Sequence, residues 1–374
     1  IELCAKIREA VHGQSGVQCR TVCEVAIRRG GGHAGAPGHG AHREILARLQ
    51  TLRSRREQGG AEVAVMVGLL ARRRGHCSRP FASTVDVCSA NIAQMQTILG
   101  AGGQIANELA RELARTYTAD LRLVSRHPRK VNDADALVRA DLLDARETIA
   151  AVDGSDVVFF TAGLPANTHL WETQFPTMLE NALDASRAAA AAFVYFDNTY
   201  MYPQDERVQT EDTPFAPVGP KGRVRAAMAS MVLDEMRRGD IPVVIARAPE
   251  FYGPGKTQSF TNALILDRMG VGRRPLVPVR DDKRRTLIWT PDASRALARL
   301  GNTPDAFGQT WHLPTAAERP TYREFVDMAA ATFGTSAAYT VIPGWILRAA
   351  GLLSPEAREI RELLPRYGRD NLFD

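Results

Sequence analysis

The sequence has no cysteine beyond Met95, so that part of the chain can contain no disulfide. All five cysteines lie before it, at Cys4, Cys19, Cys23, Cys77 and Cys88. Aromatic residues show the opposite distribution, because Phe81 is the one aromatic residue before Met95 and 24 follow it. Since a segment with one aromatic residue has little material for a core, the composition indicates a boundary near Met95.

Lysine is also scarce, with 5 residues among 47 basic ones, so that most of the positive charge is arginine. Residues 1–94 carry 14 Lys/Arg against 7 Asp/Glu, whereas the remainder carries 33 against 35. The basic character is therefore confined to the first segment, where a nucleic-acid-binding role is a minor hypothesis. The slightly acidic remainder gives no electrostatic reason to expect a nucleic-acid partner.

Long hydrophobic runs are absent from the sequence as well. The longest extends from Ala188 to Phe196, far below the roughly 18 residues that indicate a membrane span. The first residues also lack the apolar core of a signal peptide. We therefore expect a cytoplasmic location and no membrane association.

The first segment, 1–94, is expected to be irregular. A Gly/His-rich stretch from Gly30 to His42 predicts a loop, and 42–57 and 61–73 predict two short helices. Cys19 and Cys23 with the nearby histidines match no zinc-ligand spacing, so we predict no metal site. Because the chain begins with Ile1 and a strand-like run follows Met95, we interpret 1–94 as an upstream extension rather than a domain.

A nucleotide-binding motif follows this segment. Thr97 to Leu99 is a short apolar run, followed by a glycine turn (Gly100, Gly102, Gly103, Gln104, Ile105), a helical pattern to Thr116 and a second apolar run, 121–124. Gly100 permits a tight turn, Gly103 lets the backbone approach a diphosphate, and Ala106 is small enough for the helix to pack on the strand. The sequence therefore predicts a Rossmann-type site with the phosphates at the helix N-terminus.

The residues after the second apolar run indicate which cofactor binds. NAD sites usually carry Asp or Glu there, to bind the ribose 2′-hydroxyl. Here Ser125 and Arg126 occupy this place, and they suit a 2′-phosphate better than a carboxylate would. We therefore favour NADP over NAD, although Arg126 could also be an ordinary solvated arginine.

Further candidate residues follow along the chain, several of them at the end of a predicted strand, where doubly wound sheets bind ligands. Asp141 and Leu142 are expected near the adenine, and Thr161, Ala162 and Gly163 near the nicotinamide side of the cofactor. The remaining candidates are Asn198, Thr199, Tyr200, Tyr202, Lys221, Arg247 and Tyr252.

These motifs resemble the extended short-chain dehydrogenase/reductases, the NAD-dependent epimerase/dehydratase family, over residues 95 to 374. The resemblance implies an α/β fold in which a doubly wound parallel sheet, 95–250, binds the cofactor. It also implies that a smaller part, 251–374 with help from 200–217, binds a small-molecule substrate. A homodimer formed through two long helices is expected from the same resemblance, as is a chain that stops before the family's last helices.

One departure from the family affects catalysis. The family uses a Ser/Thr, a Tyr and a Lys, with Tyr four residues before Lys, but Pro217 stands four residues before Lys221. The Ser/Thr position holds Asn198 with Thr199 beside it. Tyr200 or Tyr202 could supply the proton, and Lys221 could hold the nicotinamide ribose. Arg247 and Tyr252 are then candidates for binding the substrate.

Two functions remain open from the sequence. The first is an NADP-dependent oxidoreductase or epimerase that acts on a small hydroxyl or carbonyl substrate, for which a sugar derivative is one candidate. The second is a non-catalytic NADP(H) sensor, which the missing Tyr-x-x-x-Lys pair keeps open.

Overall fold

The computed structural model describes Lys6 and residues 94–255, 258–354, 358–359 and 361–374. The loop, the two short helices and the Cys/His cluster expected in the first segment lie outside these residues. No helix among the described residues has the length and apolar character needed to cross a bilayer.

A seven-stranded parallel sheet forms the centre of the described part, in the spatial order β11-β7-β5-β4-β1-β2-β3. Its strands are β1 (Gln96–Leu99), β2 (Leu121–Ser125), β3 (Ala136–Arg139), β4 (Val157–Phe160), β5 (Ala192–Asp197), β7 (Val243–Arg247) and β11 (Thr310–His312). Every residue of β1, β4 and β7 is buried, because helices cover both faces of the sheet. The doubly wound fold expected from the sequence is confirmed.

Helices pack on both faces of the sheet. Those on the sheet are α1 (Gln104–Thr116), α2 (Ala145–Val152), α3 (Thr168–Ala188), α4 (Gly219–Arg238) and α6 (Thr290–Gly301). The other helices, α5 (Asp267–Gly270), α7 (Tyr322–Phe333) and α8 (Gly344–Leu353), lie in the part after residue 250. The core beneath α2, α3 and α4 contains Phe160 and Tyr195, whereas the core beneath α1 and α6 contains Phe159 and Val194. This split follows from the alternation of side chains along a strand.

The part after residue 250, together with β6, forms three more two-stranded parallel pairs. They join β8 (Glu250–Tyr252) to β10 (Leu287–Trp289), β9 (Leu276–Pro278) to β12 (Thr340–Ile342), and β6 (Val208–Gln209) to β13 (Leu372–Phe373). A third hydrophobic core, around Tyr252, Trp289 and Phe325, holds this part together.

The expected boundary at residue 250 does not separate these layers cleanly. Helix α6 packs against α1, and β11 pairs with β7 through residues 310–312. Residues 290–313 therefore contribute to the central sheet and its cover, while flanking segments form the smaller part. The division into 95–250 and 251–374 stays a prediction.

Candidate active site

The turn between β1 and α1 has the shape that a diphosphate needs. Gly100 and Gly102 both have φ of +96°, a conformation that side-chain-bearing residues rarely adopt. A Cβ on Gly100 would lie 2.5 Å from the Cα of Ala162, whereas one on Gly102 would meet nothing within 4 Å. The first residue of this turn therefore fits against the sheet, and Gly102 leaves open space above it.

The N-terminus of α1 suits an anion. Gly103 is its N-cap, no side chain caps the helix, and its first turn contains no acidic residue. The first N–H groups of the helix and its dipole are thus available to a phosphate. Together with the open space at Gly102, this arrangement fits the diphosphate of a nicotinamide dinucleotide.

A cavity of about 630 Å³ extends from this turn along the carboxyl ends of the strands. This volume lies in the range of cofactor and small-molecule sites. The sequence-predicted residues that line it are Gly100, Gly102, Gly103, Gln104, Ile105, Ser125, Arg126, Asp141, Leu142, Thr161, Ala162, Gly163, Asn198 and Tyr200. Thr199, Tyr202, Lys221, Arg247 and Tyr252 do not line it.

The side chain of Gln104 connects the glycine turn to the C-terminal part. Its Nε2 donates to the backbone oxygen of Pro254 at 2.8 Å and to Oγ1 of Thr290 at 2.9 Å. Gly253 lies in the same contact, since a Cβ there would fall 1.9 Å from Oγ1 of Thr290. The side chain of Gln104 therefore holds the glycine turn against the C-terminal part. Only the backbone N–H of Gln104 is left to donate to a phosphate.

Tyr200 lies at the opposite end of the cavity, just after β5. Its ring stacks on Trp171, with centroids 6.0 Å apart, and the guanidinium of Arg366 lies 4.9 Å from its centroid. Burial raises the pKa of Tyr200, and the charge of Arg366 is the largest influence that lowers it. Tyr200 is therefore a protonated phenol at neutral pH, held between an indole and a cation.

Arg366 belongs to a 3₁₀ helix, Arg361–Gly368, near the end of the chain. It donates to the hydroxyl of Thr199 at 3.2 Å and to the backbone oxygen of Thr199 at 2.9 Å. Thr199 is buried, and both its hydroxyl and its backbone oxygen accept from Arg366. Thr199 therefore positions Arg366 and does not line the cavity.

Asp197 provides a buried negative charge at the end of β5. Its Oδ1 accepts from Arg225 at 2.6 Å, and its Oδ2 lies 3.4 Å from Nε of Arg247. Asp197 and Arg225 line the cavity, whereas Arg247 lies behind them, 1 % exposed. Arg247 is therefore part of the supporting wall of the cavity.

Lys221 lies away from the cavity, in the first turn of α4, and is 1 % exposed. Its ammonium donates to Oε2 of Glu359 at 2.5 Å and to Oγ1 of Thr168 at 2.8 Å, and it pairs with Glu362 at 3.3 Å. Three polar partners from two other segments thus hold the lysine that the resemblance assigns to the ribose.

Tyr202 and Tyr252 are both fully buried. Tyr252 packs between Trp289 and Phe325 in the third core. The hydroxyl of Tyr202 lies 2.8 Å from Nη1 of Arg247, which donates to it, and 2.7 Å from Nε2 of His312. Burial raises the pKa of Tyr202 to about 12, so the phenol stays protonated and donates to His312.

His312 makes the stability of the protein depend on pH. Burial is the largest influence on its pKa, lowering it from 6.5 to about 4; Arg247 adds to this effect, and Glu211 and Asp374 oppose it. Between these values the unfolded chain takes up a proton and the folded chain does not, so the free energy of unfolding falls on acidification. We expect His312→Gln to remove this part of the slope, measured by urea unfolding on both sides of the window.

The carboxylates also make stability depend on pH, but they do so equally in the wild type and in His312→Gln. Their contribution therefore cancels when the two proteins are compared. Their difference in free energy of unfolding should change between pH 6.5 and 4 and stay constant above pH 6.5. A difference that is constant across the whole range would show that His312 titrates normally in the folded protein.

Three charged residues described above are not among those predicted from the sequence: Asp197, Arg225 and Arg366. Asp197 directly precedes Asn198, so its place at the end of a strand was a usable signal. Arg225 lies four residues after Lys221, on the same helical face. Arg366 gave no signal, because it is distant in sequence from Tyr200 and one of 42 arginines.

Comparison with known proteins agrees with this geometry. The sequence profile of the NAD-dependent epimerase/dehydratase family matches residues 96–313. No curated protein matches the sequence.

Several solved structures resemble the fold. UDP-glucuronic acid 4-epimerase from Bacillus cereus, in complex with NAD, aligns with a TM-score of 0.59 and 17% identity, over 67% of this chain and 87% of its own. A dTDP-glucose 4,6-dehydratase from Streptomyces venezuelae, as a double mutant with NAD bound, aligns with a TM-score of 0.58 and 18% identity, over 72% and 97%. A nucleoside-diphosphate-sugar epimerase from Pseudomonas aeruginosa aligns with a TM-score of 0.58 and 18% identity, over 75% and 88%.

Proposed function

Because the chain belongs to the NAD-dependent epimerase/dehydratase family, we propose that it oxidises and reduces a carbon bearing a hydroxyl or carbonyl on a sugar-derived small molecule. The observation that carries this proposal is the cavity of about 630 Å³, which joins the glycine turn to Tyr200. The glycine turn suits a diphosphate, and Tyr200, which also lines the cavity, is placed to meet a second ligand. The structurally similar enzymes that act on nucleotide sugars support a sugar substrate.

In this proposal, Tyr200 is the acid and base. It donates a proton to the substrate oxygen when a carbonyl is reduced, and its phenolate takes the proton back when a hydroxyl is oxidised. Asn198 lines the cavity beside it, at the family's Ser/Thr position, and orients the substrate oxygen. When bound, the nicotinamide ring supplies or accepts the hydride. Tyr202 lies outside the cavity and is assigned a structural role.

The lysine of the family is replaced by a different cation in this site. Lys221 is held by Glu359, Glu362 and Thr168, so we propose that it braces α4 against the C-terminal segment. Arg366 lies against the ring of Tyr200 and favours its phenolate form. In this proposal, Tyr200 transfers the proton and Arg366 stabilises its phenolate, the roles that the Tyr and Lys have elsewhere in the family.

Arg366→Met is expected to raise the pKa of Tyr200 and so move the rise of oxidation rate to higher pH. Loss of the cation removes the largest influence that lowers the pKa of this phenol. The measurement is the pH profile of kcat for the oxidation direction. Arg366→Lys keeps the charge and should restore part of the shift. A uniform loss of rate at every pH in both variants would assign Arg366 a structural role alone.

We further propose that the cofactor is NADP(H). Ser125 and the exposed Arg126 line the cavity at the end of β2, where they can hydrogen-bond a 2′-phosphate. Two of the similar structures described above carry NAD, so the proposed preference for NADP(H) is supported by Ser125 and Arg126 alone.

Arg126→Ala is expected to weaken NADP(H) binding about tenfold, because one charged hydrogen bond to phosphate is worth about 1.4 kcal/mol or more. Binding of NAD(H) should be unchanged. Thermal shift and calorimetric titration with both cofactors measure this difference in the intact chain. Tighter binding of NAD than NADP by the wild type would overturn the preference. Binding of neither at millimolar concentration would overturn the proposed function.

A measurement of substrate turnover distinguishes the enzyme from the alternative function, a non-catalytic NADP(H) sensor. Pro217 in place of the family tyrosine supports a sensor, whereas Tyr200 at the cavity supports an enzyme. Cofactor binding without hydride transfer to any sugar or carbonyl substrate would favour the sensor.

We also propose a homodimer through α3 and α4, which pack side by side in the protein. Light scattering in solution measures the mass of the particle and so tests this proposal.

A further inference from the structure

Arg225 occupies an unusual position for a buried arginine. It lies one turn after Lys221 on α4, is 5 % exposed, and lines the cavity together with Asn198, Tyr200 and Phe251. Its guanidinium lies over the rings of Phe175 and Tyr195, at 5.5 and 5.7 Å from their centroids. These rings fix its plane, so Arg225 is oriented before any ligand arrives.

The hydrogen-bonding capacity of Arg225 is not used up by the protein. Nη2 donates to Asp197, but Nη1 has only the sulfur of Met228 at 3.9 Å. Nε has no hydrogen-bond partner among the described residues. Nε is fully buried, so the donor capacity left for a ligand is that of Nη1, whose one acceptor is a weak sulfur contact. Because Arg225 lines the cavity, its guanidinium is suited to a further acceptor there.

The charge around Arg225 is also unbalanced. Asp197 is shared between Arg225 and Arg247, so one carboxylate faces two guanidinium groups. Arg247 contributes a second buried nitrogen, Nη2, without a hydrogen-bond partner among the described residues. Arg225 thus shares its one carboxylate with a second cation, which favours an anionic ligand in the cavity.

The cofactor diphosphate cannot serve as that anion if it binds at the glycine turn. In the sheet, β5 is separated from β1 by β4, which places their ends about 10 Å apart. Arg225 contacts the end of β5, where the substrate would meet Tyr200. We propose that Arg225 binds a carboxylate of the substrate, close to the carbon that reacts.

This inference rests on the proposed function and names its substrate class: a hydroxy- or oxo-sugar bearing a carboxylate. A guanidinium recognises a carboxylate through parallel N–H donors, and a neutral hydroxymethyl group leaves those donors without an anion. The arginine therefore selects against the neutral counterpart of the substrate.

The test compares glucuronate with glucose, each free and as the UDP ester, by calorimetry on the intact chain saturated with cofactor. Carboxylated ligands should bind at least tenfold more tightly than their neutral counterparts. Arg225→Lys should reduce the preference, and Arg225→Met should abolish it while leaving Asp197 paired with Arg247. Arg223→Met, which removes an exposed arginine from the same helix, should preserve it.

Cofactor titration and thermal unfolding of every variant confirm that the fold and the cofactor site survive. Equal binding of carboxylated and neutral ligands, or binding of neither, overturns the carboxylate site. So does a preference that survives in Arg225→Met. If the wild type binds cofactor, these results leave the proposed function standing; if it binds none, the proposed function itself fails.

Discussion

Tyr200→Phe is expected to lower kcat by about 10²- to 10⁴-fold, the usual contribution of a positioned acid or base. The ring, its stacking on Trp171 and its contact with Arg366 would all remain. Cofactor affinity should therefore be unchanged, and the loss should appear in the hydride-transfer step. Single-turnover measurement of nicotinamide absorbance, with cofactor and substrate saturating, measures that step.

Tyr202→Phe provides the matched control at the end of the same strand. Its hydroxyl contacts Arg247 and His312 and lies away from the cavity, so its removal should leave kcat within a few-fold of the wild type. The free energy of unfolding should fall by about 1–3 kcal/mol, because Arg247 and His312 lose a buried partner. If Tyr202→Phe abolishes hydride transfer and Tyr200→Phe does not, the acid is Tyr202 and the site is wrongly placed.

The cofactor half of the site was predictable from the sequence because its signals are local. The strand, the glycine turn and the helix N-terminus lie within 96–116, and main-chain geometry alone makes the phosphate site. The structure brings Ser125, Asp141 and Thr161 to the same cavity because parallel strands end at one edge of a sheet.

Two elements of this half escaped prediction. Strand β3 lies at the edge of the sheet, is mostly exposed, and contains an apolar run of only three residues, which is too short to identify a strand. Helix α2 is short, but Asp144 accepts from the N–H groups of Arg146 and Glu147, a capping signal that the sequence does carry. Hydrophobic periodicity therefore found the central elements and missed the peripheral ones.

The catalytic half depends on contacts between distant residues, and sequence spacing could not predict them. Arg366 reaches Thr199 across 167 positions, and Glu359 reaches Lys221 across 138. Lys221 matched a family position, but its role depends on what surrounds its ammonium. A motif gives only residue type and spacing. The ammonium of Lys221 is instead bound by two carboxylates, Glu359 and Glu362, from a distant segment of the chain.

Gly100→Ala is expected to lower the free energy of unfolding by about 3 kcal/mol or more. Two effects add: a φ of +96° strains any L-residue, and the new Cβ would lie 2.5 Å from backbone atoms of Ala162. Backbone atoms directly after a buried strand cannot move aside as a flexible side chain can. Urea unfolding measures the stability, and calorimetry measures the affinity for the cofactor, which should be lost.

Gly102→Ala separates these two effects, because Gly102 has the same φ of +96° and a Cβ there would meet nothing within 4 Å. Only the backbone strain remains, so the loss of stability should be about 1–2 kcal/mol. Its methyl group would instead enter the open space beside the N-terminus of α1, and cofactor affinity should fall at least tenfold in a folded protein. Because the two variants share their backbone strain, the difference in stability between them measures the collision with Ala162. Unchanged cofactor affinity in a folded Gly102→Ala protein would mean that the diphosphate does not bind over this turn.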